Sequence, residues 1–322
     1  MASDDILDAL IVGAGPAGLV AATYLTRFHR CIAVVDVGAS RARWIPSSHN
    51  CPGFPFGVAG AELLEKLRSQ AEGYGAQITA GRIATLQRDG DHFVAIDDQR
   101  RPYRARHVLL ATGIVDRMPP VDGSADAFDR AIAAGAIRLC AVCDGYEASD
   151  EALAVYGPAD EAIGHALFLR TFSRRVAVVR SDPGEPSSEC AALARDAHVA
   201  VLPASRMLHY DQNGGCTIGF DDGDSHHFGT VYPVLGGDAQ SQLAIALSAR
   251  VDDADELIVD DKQQSTVDGL YAIGDVVSGL NQISVALGHA AIAATAIHNR
   301  LPRNFREDEA SQSGTAPKLP SP

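Results

Sequence analysis

The glycines between residues 13 and 18 limit what this chain can become more than any other feature. Asp8-Ala9-Leu10-Ile11-Val12 reads as a short buried strand, and Leu19 to Phe28 reads as a helix. Between them stands Gly13-Ala14-Gly15-Pro16-Ala17-Gly18. Strand, glycine turn and helix form the context in which Gly-x-Gly-x-x-Gly binds a dinucleotide. Gly13 allows the turn. Gly15 lets a pyrophosphate approach the backbone, and Gly18 lets the helix lie close to the strand. Pro16 and Ala17 belong to the same phosphate-binding turn, and the N-terminus of the helix that follows faces the phosphates. A second strand, Cys31 to Val35, ends at Asp36, 18 residues after Gly18. That is where a carboxylate can hold ribose hydroxyls. The expectation is an α/β chain built on parallel strands.

The same unit returns later in weaker form. Leu153-Ala154-Val155-Tyr156 reads as a strand, Gly157-Pro158-Ala159-Asp160-Glu161-Ala162 as the turn, and a helix runs on through Phe172. Another strand, Val176 to Val179, follows. Here Ala159 stands where the fingerprint wants its second glycine, and its Cβ enters the pyrophosphate path. Arg180 is a candidate partner for a 2′-phosphate. The sequence leaves two readings open: a working NADP(H) site, or a lobe that keeps only the architecture.

Just before this second unit comes Cys140-Ala141-Val142-Cys143-Asp144-Gly145-Tyr146-Glu147. Two cysteines three apart can close a small disulfide, and a helix start lowers thiol pKa. Asp144 is placed to move a proton at either sulfur. A zinc site would need two more ligands, and the chain has no second Cys-x-x-Cys and no His-x-His pair. Cys31, Cys51, Cys190 and Cys216 are scattered singly, as core or surface residues. His226-His227 is no metal pair either, because neighbours on a strand point to opposite faces. No metal is expected.

Other segments complete a flavin site. Residues 40–55 form a long loop rich in turn formers. It either covers an isoalloxazine with His49 and Asn50, or is a surface loop that those two residues cap. Residues 59–74 read as an amphipathic helix with Leu63, Leu64, Leu67 and Ala71 on one face, followed by strands at 76–87, 92–97 and 103–111. The last of these ends in Thr112-Gly113, small residues counted with the cofactor site. Met118-Pro119-Pro120 and Leu235-Gly236-Gly237 read as the two crossings between lobes. Residues 183–231 read as short strands with a hairpin turn at 211–215. Leu270 to Ile273 is a strand ending at Gly274-Asp275, and Asp275 is set to take a ribityl hydroxyl. A small-residue helix then starts at Asn281-Gln282-Ile283 and runs to Asn299; its N-terminal amides suit the flavin pyrimidine edge. His289 on that helix is either a proton-transfer group or a structural histidine.

Of the 322 residues, 46% are apolar and 21% charged, an ordinary balance for about two soluble domains. The net charge of −14 argues against nucleic acid or an anionic membrane surface as a partner. The run from Ala9 to Leu25 lacks a basic lead and is full of glycine, so it is no signal peptide. A cytoplasmic protein is expected, with a disordered tail over 305–322.

Three motifs in order, Gly13 to Gly18, Cys140 to Gly145 and Gly269 to Val276, resemble those of the low-molecular-weight thioredoxin reductases over nearly all of residues 6–301. The resemblance implies two Rossmann-like lobes. An FAD lobe would be made of residues 1–116 and 237–304, with an inserted NAD(P)H-like lobe, 117–236, carrying the cysteines. It further implies a homodimer, Cys143 as the flavin-proximal sulfur, Cys140 as the interchange sulfur and Asp275 as an FAD ligand. The inserted turn departs from the Gly-x-Gly-x-x-Ala of those reductases, and Arg180-Ser181-Asp182 replaces their His-Arg-Arg stretch. The Ser-His-Asn-x-Pro-Gly-Phe loop and Cys-x-x-Cys-x-Gly-Tyr-Glu form are closer to the related dithiol oxidases that close disulfides in natural products such as gliotoxin, holomycin and romidepsin. The favoured reading is an FAD enzyme that oxidises a dithiol, a small molecule in preference to thioredoxin, with oxygen or NADP⁺ as acceptor. The alternatives are an NADPH-dependent thioredoxin reductase, a reductase fed by a protein donor such as ferredoxin, and a flavoprotein sensor.

Overall fold

The computed structural model describes residues 6–306 except 124, 125, 212, 213 and 278. The expected tail therefore lies outside the described residues from 307 on, as do the two central residues of the expected hairpin turn. The chain divides into two units.

The first unit takes residues 1–43, 60–115 and 238–322. At its centre is the strand Leu7–Val12, paired in parallel with Ile32–Asp36 on one side and Pro102–Leu110 on the other. Ile78–Ala80 extends one edge. Pro102–Leu110 is long enough to serve two partners along its far edge. Its first half pairs antiparallel with His92–Asp97, and its last residues pair in parallel with Leu270–Ala272. Strands buried on both faces read as unbroken apolar runs, which is why Ala9 to Val12 and Val108 to Leu110 carry no alternation. The helix Pro16–Arg27 packs its alanines against the alanine-rich helix Ile283–Arg300, so the two backbones approach closely; Ala21, Ala22, Ala290, Ala293 and Ala294 are all fully buried. Residues 76–87 are two strands instead of one: Ile78–Ala80 and Ile83–Asp89 part at Gly81, where a Cβ would stand 2.7 Å from the Arg101 guanidinium. The helix expected over 59–74 is Gly60–Gly73.

The second unit takes residues 44–59 and 116–237. Its crossings fall at 115/116 and 237/238, and the long loop after Trp44 belongs here, whereas the sequence reading placed it in the first lobe. Four parallel strands lie in the order Ala200–Ala204, Arg175–Arg180, Ala152–Gly157 and Thr230–Pro233. The helix Ala159–Leu169 buries Ala162, Ile163, Ala166 and Leu169 beside them, each large aliphatic side chain contributing roughly 1.5–3 kcal/mol. A smaller four-stranded sheet joins Val121–Asp122, Leu208–Tyr210, Cys216–Gly219 and Ser225–Phe228. In it His226 stacks on Phe228 while His227 meets Asp211, so the adjacent pair does face opposite ways. Residues 183–231 also hold a helix that the sequence reading missed, Ser188–Asp196, capped by the Ser187 hydroxyl on the Cys190 amide. A serine before an apolar-periodic run was its visible signal. Among the described residues no helix is long and apolar enough to cross a membrane.

Candidate active site

The redox pair is built by one turn of helix. Ala141–Asp144 is a four-residue helix with Cys140 as its N-cap: the Cys140 sulfur accepts the Cys143 amide at 3.1 Å. Cys140 and Cys143 form a disulfide. The cap places a sulfur against exposed N–H dipoles, the environment that favours a thiolate when the bond opens. Burial pushes the thiol of Cys51 up and that of Cys216 up to about 12, so neither competes as a nucleophile.

Asp144 follows Cys143 and is mostly buried. Tyr232 donates its hydroxyl to Asp144 Oδ1 at 3.0 Å. Arg138 donates from Nη1 to the Asp144 carbonyl at 3.1 Å and lies 4.0 Å from Oδ2. Burial raises the carboxyl to about 6, against the pull of Arg138 and Tyr232. A group poised there can take or give a proton near neutral pH. Neither Tyr232 nor Arg138 figures in the sequence reading.

His49 and Asn50, assigned from sequence to the cofactor, meet the redox turn within the second unit. Asn50 Nδ2 donates to the carbonyl of Val142 at 3.3 Å. His49 Nδ1 stands 4.0 Å from Glu147 Oε1. The other Glu147 oxygen is buried without a hydrogen-bond partner. Three apolar side chains on these segments face solvent: Val142, which stands between the two cysteines in sequence, Tyr146 at 78% exposure and Phe56 at 92%.

In the first unit the glycine turn is sterically forced. Gly13 has φ +104°, and a Cβ there would stand 2.3 Å from the Ala111 carbonyl oxygen. At Gly18 it would stand 2.0 Å from the Gly13 oxygen. At Gly15 the only neighbour within reach among the described residues is the Ser40 hydroxyl, at 3.3 Å, so the backbone is open to a ligand there. Pro16 begins the helix, Gly15 is its N-cap, and no acid stands in its first turn. Asp36 accepts the amides of Ala14 (2.9 Å) and Gly38 (3.0 Å), which fixes its carboxylate at the strand end. Ala17 packs under Gly274, and Asp275 lies 3.4 Å from Arg41. The helix Ile283–Arg300 starts at N-cap Gln282 with no side-chain cap. His289 Nδ1 is buried without a hydrogen-bond partner, and burial lowers its pKa against the charge of Asp275. Thr112 donates to the Gln240 carbonyl at 2.7 Å, and Gly113 (φ +68°) has nothing near its missing Cβ. A glycine cradle, open helix N-termini and two acids at strand ends fit FAD.

The second turn does not fit a dinucleotide in the same way. Gly157 is required, since its Cβ would lie 2.4 Å from the Val234 oxygen. Beyond it the helix opens with Pro158 as N-cap and puts Asp160 and Glu161 in its first turn. Two carboxylates there oppose a pyrophosphate. Arg180, the 2′-phosphate candidate, is held by Glu185 at 2.6 Å and by the carbonyls of Gly184 and Leu202. Among the described residues no group of three His, Cys, Asp or Glu is arranged to hold a metal ion.

The sequence profile of the pyridine nucleotide-disulphide oxidoreductases matches residues 7–290. A thioredoxin reductase of Peptoclostridium acidaminophilum is 27% identical, aligned over 94% of this chain and all of its own length. The structure of HlmI superposes with a TM-score of 0.85 at 26% identity, covering 93% of each chain. The thioredoxin reductase of Streptococcus pyogenes superposes with 0.83 at 27% identity, covering 92% of this chain and 98% of its own. The chain belongs to the pyridine nucleotide-disulphide oxidoreductase family, as a flavin-dependent disulfide oxidoreductase of the thioredoxin reductase-like kind.

Proposed function

We propose that this enzyme oxidises a small dithiol to a disulfide. The observation that carries the reading is the second turn. Asp160 and Glu161 stand in the first turn of the helix whose N-terminus would face a phosphate, while the redox pair and the glycines of the first turn are intact. Electrons then enter at sulfur.

One substrate thiolate attacks Cys140; the Cys140–Cys143 bond breaks, and Cys143 leaves as a thiolate. The second substrate thiol displaces Cys140, closing the product disulfide. Two electrons and two protons have moved from substrate to the cysteine pair. Asp144 relays one of these protons from a substrate thiol to the cysteine thiolate that forms, and takes a proton from the pair as it reoxidises. FAD would supply a two-electron acceptor for the reduced cysteine pair, with oxygen as the final acceptor and peroxide as the product. Gly13, Gly15, Gly18, Asp36 and Asp275 would hold it. The exposed Val142, Tyr146 and Phe56 suit an apolar substrate.

The relatives named thioredoxin reductases favour the opposite direction, with NADPH as donor. Anaerobic mixing separates the two. Bleaching of the flavin by dithiothreitol but not by NADPH, reversed by air with peroxide formed, is the expected result. Prompt bleaching by NADPH would overturn the oxidase in favour of the reductase.

A further inference from the structure

We propose that Tyr232 and Arg138 are positioning residues that clamp Asp144 and set the pH at which it exchanges its proton. The proposal rests on the reading of Asp144 as the acid–base group of the redox pair.

The clamp is a product of strand register. Ile137 bridges Val231 in parallel: the Arg138 amide donates to the Val231 carbonyl at 3.0 Å, and the Val231 amide donates to Ala136 at 2.8 Å. Side chains alternate along an extended chain, so Arg138 and Tyr232, each one residue beyond the bridge, point to the same side. Both converge on Asp144. Tyr232 reaches Oδ1 at 3.0 Å and the backbone carbonyl at 3.4 Å. Arg138 reaches that carbonyl at 3.1 Å and faces Oδ2 at 4.0 Å. The guanidinium is fixed from behind, since its Nε donates to the Gly135 carbonyl at 3.2 Å. Tyr232 itself is buried, so its hydroxyl has a fixed approach.

The charges facing Asp144 oppose one another. Arg138 and the Tyr232 hydroxyl favour the carboxylate, whereas burial and the charge of Glu147 favour the acid. Glu147 in turn faces His49, and Glu151 acts on Tyr232 from the same strand layer, where it accepts the Thr230 hydroxyl. A single buried aspartate would titrate wherever desolvation left it. Here two donors pull it back into the range where a thiol–disulfide exchange at neutral pH can use it.

The test is the pH profile of anaerobic flavin bleaching by dithiothreitol, read between pH 5 and 8 on holoenzyme with flavin content and thermal unfolding as controls. Tyr232→Phe and Arg138→Met are expected to move the limb near 6 upward, by about half a unit to one unit each. Glu147→Gln is expected to move it downward. Since the charge-conserving Glu147→Asp keeps the repulsion, it is expected to restore the original limb. Limbs that stay in place in Tyr232→Phe and Arg138→Met, while Asp144→Asn abolishes the limb, would overturn the clamp and leave Asp144 in its role. A limb that survives Asp144→Asn would remove the acid–base reading itself, and the clamp with it.

Discussion

The chain makes the same strand–turn–helix–strand unit twice, and the two copies differ where a phosphate would lie. Gly13 and Gly157 occupy matching places. Each ends a central parallel strand, and each would drive a Cβ into a neighbouring carbonyl oxygen, at 2.3 Å and 2.4 Å. Packing alone demands these glycines. The next position is different: Gly15 has open backbone around it, whereas its counterpart Ala159 is buried. The first helix begins without an acid, and the second begins with two. A duplicated fold thus keeps the glycine its own backbone needs and surrenders the glycine only a ligand needs.

The largest test of this contrast is Gly18→Val. Its added atoms meet the Gly13 oxygen, already 2.0 Å from a bare Cβ, so helix and strand must separate. The purified variant is expected to lose bound flavin by on the order of tenfold or more, read from its visible absorbance. A flavin content like that of the parent would mean the turn tolerates what the packing forbids.

A second test concerns the redox lobe's own electrostatics. Asp144 moves from an ordinary 3.8 to about 6 on burial, so the unfolded chain ionises first. Its contribution to stability is complete below about pH 4, is lost as pH rises to about 6, and is constant above. Asp144→Asn is therefore expected to gain on the parent in denaturant unfolding across that window, by on the order of 1–2 kcal/mol once the lost Arg138 attraction is allowed for. A difference that stays flat with pH would place the carboxyl in water.

The smallest expected effect sharpens the comparison most. Ala159→Gly restores the Gly-x-Gly-x-x-Ala spacing, yet leaves Asp160, Glu161 and the Glu185 hold on Arg180 in place. Flavin bleaching by NADPH is expected to change by less than about threefold, because charge remains the obstacle. A fast reaction in this variant would show that one methyl group had closed the site.

The first turn was legible in sequence because its glycines recur at a fixed spacing between a strand and a helix. The Gly18 clash comes from the turn's own Gly13, whereas the Gly13 clash comes from Ala111, just past the end of the neighbouring strand. The disulfide was legible from a spacing of three. The contacts around Asp144 were not, for they come from ordinary residues made neighbours by a bridge between 137 and 231. The loop over residues 40–55 left two readings open, a cofactor cover or a capped surface loop, and its neighbour in the fold was hidden for the same reason. Its tie to the redox helix runs from Asn50 to Val142, 92 residues away, and nothing in either segment announces the other. Arg180 stands as a candidate partner for a 2′-phosphate in the sequence, and its contact with Glu185, five residues on, is a pairing the sequence reading did not weigh.

The strand Leu270–Ala272 completes the first sheet beside Pro102–Leu110, about 160 residues after that edge is made. At a synthesis rate of roughly 5–20 residues per second, the edge waits on the order of ten to thirty seconds on the ribosome. Throughout that interval Val108, Leu109 and Leu110, all fully buried in the finished protein, lack their last neighbour. The nascent chain is most open to aggregation then.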